Sequence, residues 1–236
     1  MISVCMATFN GEKYIKQQMD SILCQLSKDD EVIVSDDGSK DKTIQILEAY
    51  HDPRIKIFIN HGPHGFTKNF ENALKKCRGD IIFLSDQDDV WKKNKVEVSL
   101  EQLKDAELIV HDAKLIDGDG NSLGHNFSEY KHHHTGFLWN LLTSRFLGCC
   151  LVFRRNILDE CLPFPDDIIS HDYWIGMYSV AIHKVKFVPE VLMYYRRHGN
   201  NASTVTQKSP YSFWFKIYNK RFKVCIDIIK RWKSVK

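Results

Sequence analysis

The first hundred residues alternate between two hydrophobic patterns. Short runs of consecutive apolar residues bounded by polar turns indicate buried strands, whereas apolar residues spaced three or four apart indicate amphipathic helices. The predicted strands are residues 2–7, 31–35, 54–59 and 80–85, and the predicted helices are residues 11–26, 41–50 and 65–77. Strands that alternate with helices predict a mainly parallel sheet with helices on its faces, an α/β fold.

The alternation becomes irregular after Asp89. The pattern there predicts helices at residues 93–104, 137–143 and 172–183, strands at residues 107–113 and 148–153, and two short strands within residues 184–197, broken near Pro189. Residues 117–121, Asp-Gly-Asp-Gly-Asn, are typical of a turn at the tip of a hairpin. Because no repeat or linker divides this stretch, we predict one compact unit from residue 1 to residue 205.

Residues 206–236 have a pattern of their own. Placed at about 100° per residue, their aromatic and apolar side chains fall on one side of a helix and most lysines on the other. The apolar side comprises Tyr211, Trp214, Tyr218, Phe222, Cys225, Ile229 and Trp232. The whole chain has a net charge of +3, but nine basic residues and one acidic residue between positions 208 and 236 give this segment +8 and leave −5 on the rest. We therefore predict a basic amphipathic C-terminal helix beside a mildly acidic body.

Three interpretations suit such a helix. Its lysines and aromatic residues suit the anionic face of an inner membrane. Its aromatic face also suits packing on the body of the chain or on a second copy, which would give a homodimer, and its charge suits nucleic acid. The width of the aromatic face favours a membrane or a protein, since nucleic acid is typically bound by a basic patch on a folded body. We expect no nucleic-acid partner and a peripheral membrane position through residues 208–236.

Composition bears on the compartment more than on the activity. Apolar residues make up 43% and charged residues 27%, which is ordinary for a globular protein. The longest apolar runs fall short of the roughly 18 residues of a membrane span, and Met1 leads directly into a strand-like run rather than a signal peptide. Seven scattered cysteines without a Cys-x-x-Cys pair are typical of reduced thiols packed as small apolar residues. We expect a cytoplasmic protein.

Two acidic clusters follow predicted strands. Asp36 and Asp37 come after the second strand, and Asp86, Asp88 and Asp89 come after the fourth. Ligands of open parallel sheets bind beyond the carboxyl ends of the strands, where both clusters would share one site. The first cluster suits hydrogen bonds from a nucleobase or ribose, and the second suits Mg²⁺ or Mn²⁺ bound with phosphate oxygens. The alternative is that these aspartates cap turns and helices.

Seven short motifs follow one another along residues 1–205. They are Ala7-Thr-Phe-Asn-Gly11, Val34-Ser-Asp-Asp-Gly-Ser39, Gly65-Phe-Thr-Lys-Asn-Phe70, Phe83-Leu-Ser-Asp-Gln-Asp-Asp-Val-Trp91, Gly148-Cys149, His171-Asp-Tyr-Trp174 and Tyr195-Arg-Arg-His-Gly-Asn-Asn201. The ordered set resembles glycosyltransferase family 2, and most closely its bacterial rhamnosyltransferases of polysaccharide assembly. The resemblance implies a GT-A catalytic domain over residues 1–205, with a Rossmann-like nucleotide-binding half at 1–90 and an acceptor half at 91–205.

The resemblance also implies roles for single residues. The positions that match nucleotide-sugar-binding residues are Thr8, Asn10, Asp36, Asp37, Lys68, Asn69, Asp86, Gln87, His198 and Asn201. The positions that match or adjoin the metal site are Asp86, Asp88, Asp89 and His198, with Mn²⁺ or Mg²⁺ as the ion. The insertion of Gln87 among four positions, where the family has an acidic triplet, leaves open which carboxylate contacts the ion.

Asp172 matches the family's catalytic base. An acceptor hydroxyl needs a carboxylate to take its proton as it attacks, and a single displacement with one base implies inversion at the anomeric carbon. The bland alternative is that Asp172 only caps the helix that follows it. Residues expected near the acceptor are Trp91, Gly148, Cys149, His171 and Trp174. For Trp91 and Trp174, packing in the core is an equally good explanation.

These expectations describe a metal-dependent inverting glycosyltransferase with dTDP-rhamnose or a UDP-hexose as donor and a glycan or lipid-linked acceptor. Two other classes share some of the features. A sugar-nucleotidyl transferase also combines an α/β sheet, a dication and a nucleotide, but residues 9–12 hold one glycine where that class has a glycine-rich loop. A non-catalytic carbohydrate- or lipid-binding module would need neither both acidic clusters nor a downstream base.

Overall fold

The computed structural model describes residues 1–130, 136–143, 146–199 and 221–235. Asn201 and residues 206–220 of the predicted C-terminal helix lie outside these ranges, so the expectations for them stay predictions. The strands are β1 Ile2–Thr8, β2 Glu31–Asp36, β3 Ile55–Ile59, β4 Ile81–Ser85, β5 Val90–Trp91, β6 Leu108–Ile116, β7 Ser122–Asn126, β8 Leu151–Arg154 and β9 Val185–Arg196. The helices are α1 Ile15–Leu23, α2 Thr43–Glu48, α3 Phe66–Leu74, α4 Lys95–Gln102, α5 Phe127–Tyr130, α6 Phe137–Leu142, α7 Arg155–Cys161, α8 His171–Ile182 and α9 Phe222–Val235, with a 3₁₀ turn at Gly148–Cys150.

Four parallel strands form the first part of the sheet, in the order β3–β2–β1–β4. Val4, Val32 and Ile82, in the interiors of three of these strands, are completely buried. Strands covered on both faces are apolar at consecutive positions, so the strands of this part can be predicted from the sequence. The predicted α/β fold with a mainly parallel sheet is confirmed.

The second part of the sheet is mixed and continues in the order β8–β6–β9–β5. Strand β8 runs antiparallel to both β4 and β6, whereas β9 runs parallel to β6. Strand β7 returns beside β6 as a hairpin, closed by a hydrogen bond from the Asp117 N–H to the Asn121 carbonyl oxygen at 2.9 Å. The hairpin expected at residues 117–121 is therefore confirmed. One hydrophobic core extends from β1 and α3 through β8 to α8.

Residues 184–197 differ from their prediction. We expected two short strands broken at Pro189, but β9 is a single strand, Val185–Arg196. Its register against β6 shifts, with Val188 opposite His111 and Val191 opposite Asp112. Pro189 lies in this bulge, where a residue without an N–H is tolerated because the ladder is already interrupted. The proline bends the strand without ending it.

Three further elements escaped or departed from prediction. Strand β5 has two residues, and α7 is a short helix that follows β8 directly, so neither has enough residues to establish a period. Residues 148–150 form a 3₁₀ turn rather than the start of a strand, and β8 begins at Leu151. This turn brings Gly148 close to Asp172, and Cys149 close to Asp86 and Asp89.

Helix α9 covers the part of the predicted C-terminal helix that the structure describes. Its Val224 and Ile228 are buried, and the helix packs on α7 and α8. Among the described residues, no helix combines the length and the apolar character that crossing a bilayer requires.

Candidate active site

The carboxyl ends of β2, β1 and β4 meet at one edge of the sheet. In the parallel register, Thr8 of β1 pairs with Asp36 of β2, and Met6 of β1 pairs with Ser85 of β4. The loops that begin with Asp36 and Asp86 therefore leave the sheet side by side. We call this region the acidic edge and distinguish its β2 side, with Asp36 and Asp37, from its β4 side, with Asp86 to Asp89 and the start of α8.

Asp36 organises the β2 side without facing solvent. Its buried carboxylate accepts hydrogen bonds from the Thr8 hydroxyl at 2.8 Å and the Ser39 hydroxyl at 2.6 Å. It also accepts the backbone N–H groups of Gly38 and Ser39 at 3.0 and 2.7 Å. Four donors satisfy both carboxylate oxygens, so Asp36 fixes the loop between β2 and α2 and is unavailable to a ligand.

Asp37 is the next residue and remains reachable, with 12% of its side chain exposed. Its carboxylate accepts hydrogen bonds from the Asn60 amide at 2.8 Å, the His64 ring at 2.9 Å and the Gly65 N–H at 2.8 Å. Burial alone would raise the pKa of Asp37, but these hydrogen bonds outweigh it and hold the pKa below its ordinary value. Asp37 therefore stays ionised at neutral pH in a preformed mould.

Gln87 ties the first loop to the acidic edge. Its side-chain amide accepts the Phe9 N–H at 2.9 Å and donates to the Phe9 carbonyl at 3.0 Å. A β-carbon on Gly11 would lie 2.6 Å from the Gln87 amide carbon, so only glycine permits this clamp. Asn10, with φ of 48°, accepts the Lys40 N–H at 2.9 Å and so joins the same loop to the one after β2. Gln87 thus acts on the backbone of the loop.

Lys68 and Asn69 begin α3 but point into the protein's own contacts. Asn69 is buried, donating to the Thr8 carbonyl at 3.1 Å and accepting from the Ser35 hydroxyl at 2.6 Å. Lys68 forms an ion pair with Glu71 at 2.9 Å and is 34% exposed. Asn69 therefore supports the edge from beneath, and Lys68 lies at its margin.

The β4 side concentrates negative charge. Oxygen atoms of Asp86 and Asp89 and the sulfur of Cys149 lie within 4.8 Å of one another. Burial raises the pKa of Asp86 to about 7, and the charges of Asp88 and Asp172 add to the shift. Burial likewise raises the pKa of Asp89, which is completely enclosed, and Asp88 and Asp86 reinforce it. Asp172 is thus near enough to the β4 side to alter its titration.

Hydrogen bonding on the β4 side is incomplete. Asp89 Oδ1 accepts the Arg196 N–H at 2.9 Å, whereas Asp89 Oδ2 is buried and has no partner among the described residues. His198 Nε2 lies 2.6 Å from Asp88 Oδ2, and the His198 ring stacks on Tyr14 with centroids 5.1 Å apart. An enclosed, unpartnered carboxylate oxygen is costly unless something else binds it.

This donor set fits a divalent cation. Carboxylate oxygens are hard ligands of the kind that Mg²⁺ and Mn²⁺ prefer, and a cation would remove the repulsion that raises the pKa values of Asp86 and Asp89. Cys149 is less suited to such an ion, because burial raises its pKa well above the ordinary value and keeps the thiol protonated.

Lys95 is a buried residue of the site that the sequence analysis missed. It is completely enclosed, donates to the Cys149 carbonyl at 2.9 Å and lies 4.2 Å from the ring centroid of Trp91. Burial lowers its pKa to about 8, opposed by the nearby thiols of Cys150 and Cys149 and the carboxylates of Asp89 and Asp86. A lysine on the buried stripe of α4, in line with Ser99, was the signal available.

Asp172 is in the first turn of α8, facing the β4 side. Asp172 Oδ1 accepts hydrogen bonds from the Ser170 hydroxyl and from the Tyr173 N–H, the latter at 2.8 Å. Among the described residues, none donates a hydrogen bond to Asp172 Oδ2. A β-carbon on Gly148 would lie 2.8 Å from His171 Nε2 and 3.5 Å from Asp172 Cβ, so glycine lets the 3₁₀ turn approach α8. One oxygen is held and the other is open to a proton.

The remaining acceptor candidates divide into two groups. His171 lies beside Gly148, 5% exposed and stacked on Phe70 with centroids 3.9 Å apart, and neither ring nitrogen has a partner among the described residues. Burial lowers the pKa of His171, although the charge of Asp172 opposes this. Trp174 instead belongs to the core and donates to the Cys161 carbonyl at 3.1 Å. Trp91 is 3% exposed and packs against Phe83.

Comparisons with known proteins agree on one family. The family model described as Glycosyl transferase family 2 matches residues 3–162. An uncharacterized glycosyltransferase of Nostoc sp. is 28% identical over 216 residues, which are 85% of this chain and 66% of that protein. The dTDP-rhamnosyl transferase RfbG of Shigella flexneri is 28% identical over 236 residues, covering 92% of this chain and 81% of that protein. The chain thus spans just under two thirds of the length of the first relative.

Two solved structures support the fold. The 1–349 portion of TarS from S. aureus superposes with a TM-score of 0.66 at 24% identity, covering 83% of this chain and 60% of that one. A mannosyltransferase from Pyrobaculum calidifontis, solved with GDP-Man and Mn²⁺, gives a TM-score of 0.61 at 19% identity, covering 96% of this chain and 64% of that one. At these identities the likeness establishes the GT-A type of fold.

Proposed function

The chain belongs to glycosyltransferase family 2, and from that premise we propose that it is a metal-dependent enzyme that transfers a sugar from a nucleotide-diphosphate donor to an acceptor hydroxyl, inverting the anomeric carbon. The observation that carries the proposal is the 3₁₀ turn that lies between the two groups: Gly148 packs against Asp172, and the next residue, Cys149, has its sulfur within 4.8 Å of carboxylate oxygens of Asp86 and Asp89. A proton acceptor on α8 and a dication site on the β4 loop would thereby lie at the same edge of the sheet as the nucleotide-binding β2 side.

The β2 side binds the nucleoside of the donor in this proposal. Asp37 is ionised, preorganised by three donors and partly exposed. A preorganised carboxylate accepts hydrogen bonds from a base or a ribose at little entropic cost. The donor that we favour is dTDP-rhamnose, because the relative RfbG is named for it and covers nearly the whole chain. A UDP-hexose is the alternative, since TarS has been solved with UDP-GlcNAc.

The β4 side would hold Mn²⁺ or Mg²⁺ for binding of the donor's diphosphate. Asp86 and Asp89 would bind the ion with Asp88, and His198 would orient Asp88 through the 2.6 Å contact. When bound, the dication supplies Lewis-acid stabilisation of the negative charge on the departing diphosphate. The mannosyltransferase of similar fold was solved with Mn²⁺. Asn201, outside the described residues, keeps its proposed place near the diphosphate.

Asp172 completes the reaction as general base. Its Oδ2 accepts the proton of the acceptor hydroxyl while that oxygen forms a bond to the anomeric carbon and the bond to the diphosphate oxygen breaks. Asp172 Oδ1 keeps its hydrogen bonds to Ser170 and Tyr173 throughout, so the carboxylate does not rotate. One attack from the face opposite the leaving group inverts the configuration. The acceptor that we propose is a glycan or lipid-linked hydroxyl of cell-surface polysaccharide synthesis in the cytoplasm.

The direct test is a donor panel with the purified full chain. dTDP-rhamnose, UDP-glucose, UDP-GlcNAc and GDP-mannose are each added with Mn²⁺ or with EDTA, and donor binding is measured by calorimetry and product by mass spectrometry. We expect one donor class to bind in the presence of Mn²⁺ and, since water is the only acceptor in the panel, to be hydrolysed slowly to free sugar and nucleoside diphosphate. Release of pyrophosphate from a nucleoside triphosphate and a sugar phosphate would indicate a sugar-nucleotidyl transferase instead. Equal donor binding in EDTA would contradict the proposed metal role.

A further inference from the structure

Helix α9 turns an apolar face away from the protein. Val224 and Ile228 face the body, whereas Phe222 is 63% exposed, Ile226 is 45% exposed and Ile229 is 54% exposed. The last three recur at intervals of four and three residues and therefore form one line along the helix. A helix that is apolar on two opposite faces therefore has one apolar face that the described residues do not cover.

Helix α6 ends beside the start of α9 and also carries exposed apolar residues. Leu138, Trp139 and Leu142 are exposed, Leu138 by 71%. The Arg221 guanidinium, just before α9, donates to the Leu142 carbonyl, which joins the end of α6 to the start of α9. Both helices also pack on α8. We call the combined surface of Leu138, Trp139, Leu142, Phe222, Ile226 and Ile229 the outer ridge.

Basic side chains flank the outer ridge. Lys230 and Lys233 are exposed on α9, beside Ile226 and Ile229. Lys223 reaches the Asp166 carbonyl at 3.1 Å, and Arg231 donates to the Leu162 and Pro163 carbonyls, so these two cations fasten the helix to the body. Asp227 is the single acidic residue of α9. The ridge is thus apolar at its centre, cationic at its margin and fixed in orientation.

We propose that the outer ridge binds the surface of a bilayer that contains anionic lipids. Exposed isoleucine, phenylalanine and tryptophan side chains enter the boundary between headgroups and acyl chains, while lysines at the margin contact the phosphates. The charge pattern favours lipid over a second copy of this chain, because two such ridges facing each other would bring their lysines together. Here α9 lies in the membrane plane, consistent with its being too short and polar to cross.

The position of the ridge connects it to the active site. Helix α9 packs on α8, whose first turn contains Asp172 and the buried Tyr173. Burial raises the pKa of Tyr173 to about 12, and the nearby charge of Arg221 opposes this shift. Membrane binding through α9 would therefore hold the Asp172 end of the site close to the lipid surface. If the proposed transferase function holds, a lipid-linked acceptor would reach the base from that side. The binding of the ridge to lipid does not itself depend on catalysis.

Vesicle co-sedimentation with the full chain tests the proposal. The probes are vesicles of phosphatidylcholine alone and of phosphatidylcholine mixed with phosphatidylglycerol, each at low and high salt. We expect binding to the anionic vesicles, weakened by salt. The double variant Lys230→Ala/Lys233→Ala should bind roughly 25-fold more weakly, because each lysine near an anionic surface contributes about fivefold. The double variant Ile226→Asn/Ile229→Asn should lose binding at either salt concentration.

A matched control separates the ridge from exposed apolar residues in general. Leu123 on β7 is 44% exposed, and Leu123→Asn should bind vesicles like the wild type. Melting temperatures of all variants verify that they fold, and light scattering measures their mass. The proposal is wrong if the wild type ignores anionic vesicles, if both double variants bind normally, or if the wild type is a dimer that the isoleucine variant dissociates. Donor binding by calorimetry reports on the transferase function independently.

Discussion

The carboxylates on the β2 side of the acidic edge differ from those on the β4 side in hydrogen bonding and in pKa. On the β2 side, Asp36 accepts four hydrogen bonds and Asp37 accepts three, and the pKa of Asp37 is lowered. On the β4 side, one oxygen of buried Asp89 has no partner among the described residues, and the pKa values of Asp86 and Asp89 are raised. The same residue type is satisfied at one strand end and frustrated two strands away.

The difference in hydrogen bonding indicates how each side responds when a ligand binds. A carboxylate that accepts hydrogen bonds from the protein's own donors has its position and charge fixed before a ligand binds. Carboxylates that repel one another in a buried place store unfavourable energy that a cation relieves. The β2 side is therefore a rigid, preformed binding surface. The β4 side is a cluster of repelling carboxylates that a bound cation would stabilise. Variants of the two sides should consequently respond with opposite signs.

The largest effect should come from Asp172→Asn. The amide retains the hydrogen bond from the Tyr173 N–H but cannot take a proton, so turnover should fall about a thousandfold. Donor affinity should stay within about twofold, because Asp172 meets the acceptor and not the nucleotide. Initial rates and calorimetry measure the two quantities. Unchanged turnover would mean that Asp172 serves only to cap α8.

The next effect concerns the pH dependence of stability on the β4 side. The pKa of Asp86 is about 7 in the folded protein against an ordinary value of 3.8. The folded state then holds the proton more tightly than the unfolded state, so stability should fall as pH rises from about 4 to about 7. At pH 8 without metal, Asp86→Asn should therefore stabilise the protein by about 3 kcal/mol. Thermal melts across this pH range measure the effect.

Asp37→Asn on the β2 side is the matched control. The pKa of Asp37 is lowered, so its charge stabilises the fold above the ordinary pKa of 3.8 and the stabilisation is lost as pH falls below it. The variant should lower the melting temperature at pH 8, the reverse of Asp86→Asn. Mn²⁺ should raise the melting temperature of the wild type and of Asp37→Asn but not of Asp86→Asn. Equal responses of the two variants would remove the distinction between the sides.

Glu31, at the opposite end of β2, is a fully hydrogen-bonded carboxylate that lies away from the candidate site, so its effect on stability can be measured without an effect on function. Its buried carboxylate accepts hydrogen bonds from Ser3, Lys56 and Arg78 at 2.7 to 3.2 Å. Burial opposes ionisation, but these donors prevail and lower the pKa of Glu31 from 4.5 to about 2. The stabilisation is therefore complete above about pH 4.5 and disappears as pH falls toward 2.

Glu31→Gln should cost about 2 kcal/mol at pH 7, less than the full shift implies because Arg78 is 67% exposed and screened by water. Chemical denaturation at pH 7 and pH 3 measures the loss, which should shrink at the lower pH. Donor binding should be unaffected, since Glu31 is remote from the acidic edge. A loss that stays constant with pH would show that packing, not charge, stabilises this end of β2.

The first half of the fold could be predicted from the sequence because β1, β2 and β4 are buried on both faces and the helices between the strands on one. Residues 2–7 and 31–35 are mainly apolar, with Ser3, Glu31 and Ser35 as the exceptions, and β1 and β2 extend these segments by one residue each. Strand β9 could not be read in the same way, because Pro189 is a strong local signal and only the pairing with β6 carries the chain past it. Tertiary pairing outweighed a local rule there.

The candidate site shows the same contrast between residues that local sequence predicts and features that depend on tertiary contacts. Strand ends were enough to select Asp37 and Asp86, because topology places such positions at one edge, whereas Asp172 was selected by its match to the family's motif. The burial of Lys95 under Cys149 and the missing partner of Asp89 depend on contacts between residues distant in sequence. Such contacts have no local signature. The sequence could select the carboxylates but could not indicate which of them are satisfied.

The smallest effect compares two buried histidines under one substitution. His171, on the β4 side, has two ring nitrogens without partners among the described residues, whereas His183 lies 3.1 Å from Glu107 and 2.9 Å from Glu160. His171→Phe retains the stacking on Phe70 and removes two unsatisfied atoms, so it should stabilise the protein by about 1 kcal/mol. His183→Phe should destabilise it by a similar or larger amount, because it removes a ring contact from each of two carboxylates, Glu107 and Glu160. If His171 binds the acceptor, His171→Phe should also raise the acceptor KM about tenfold at unchanged donor affinity. A stabilised variant with an unchanged acceptor KM would show that His171 is a purely structural residue. The unsatisfied groups of the β4 side would then serve metal binding and not acceptor binding.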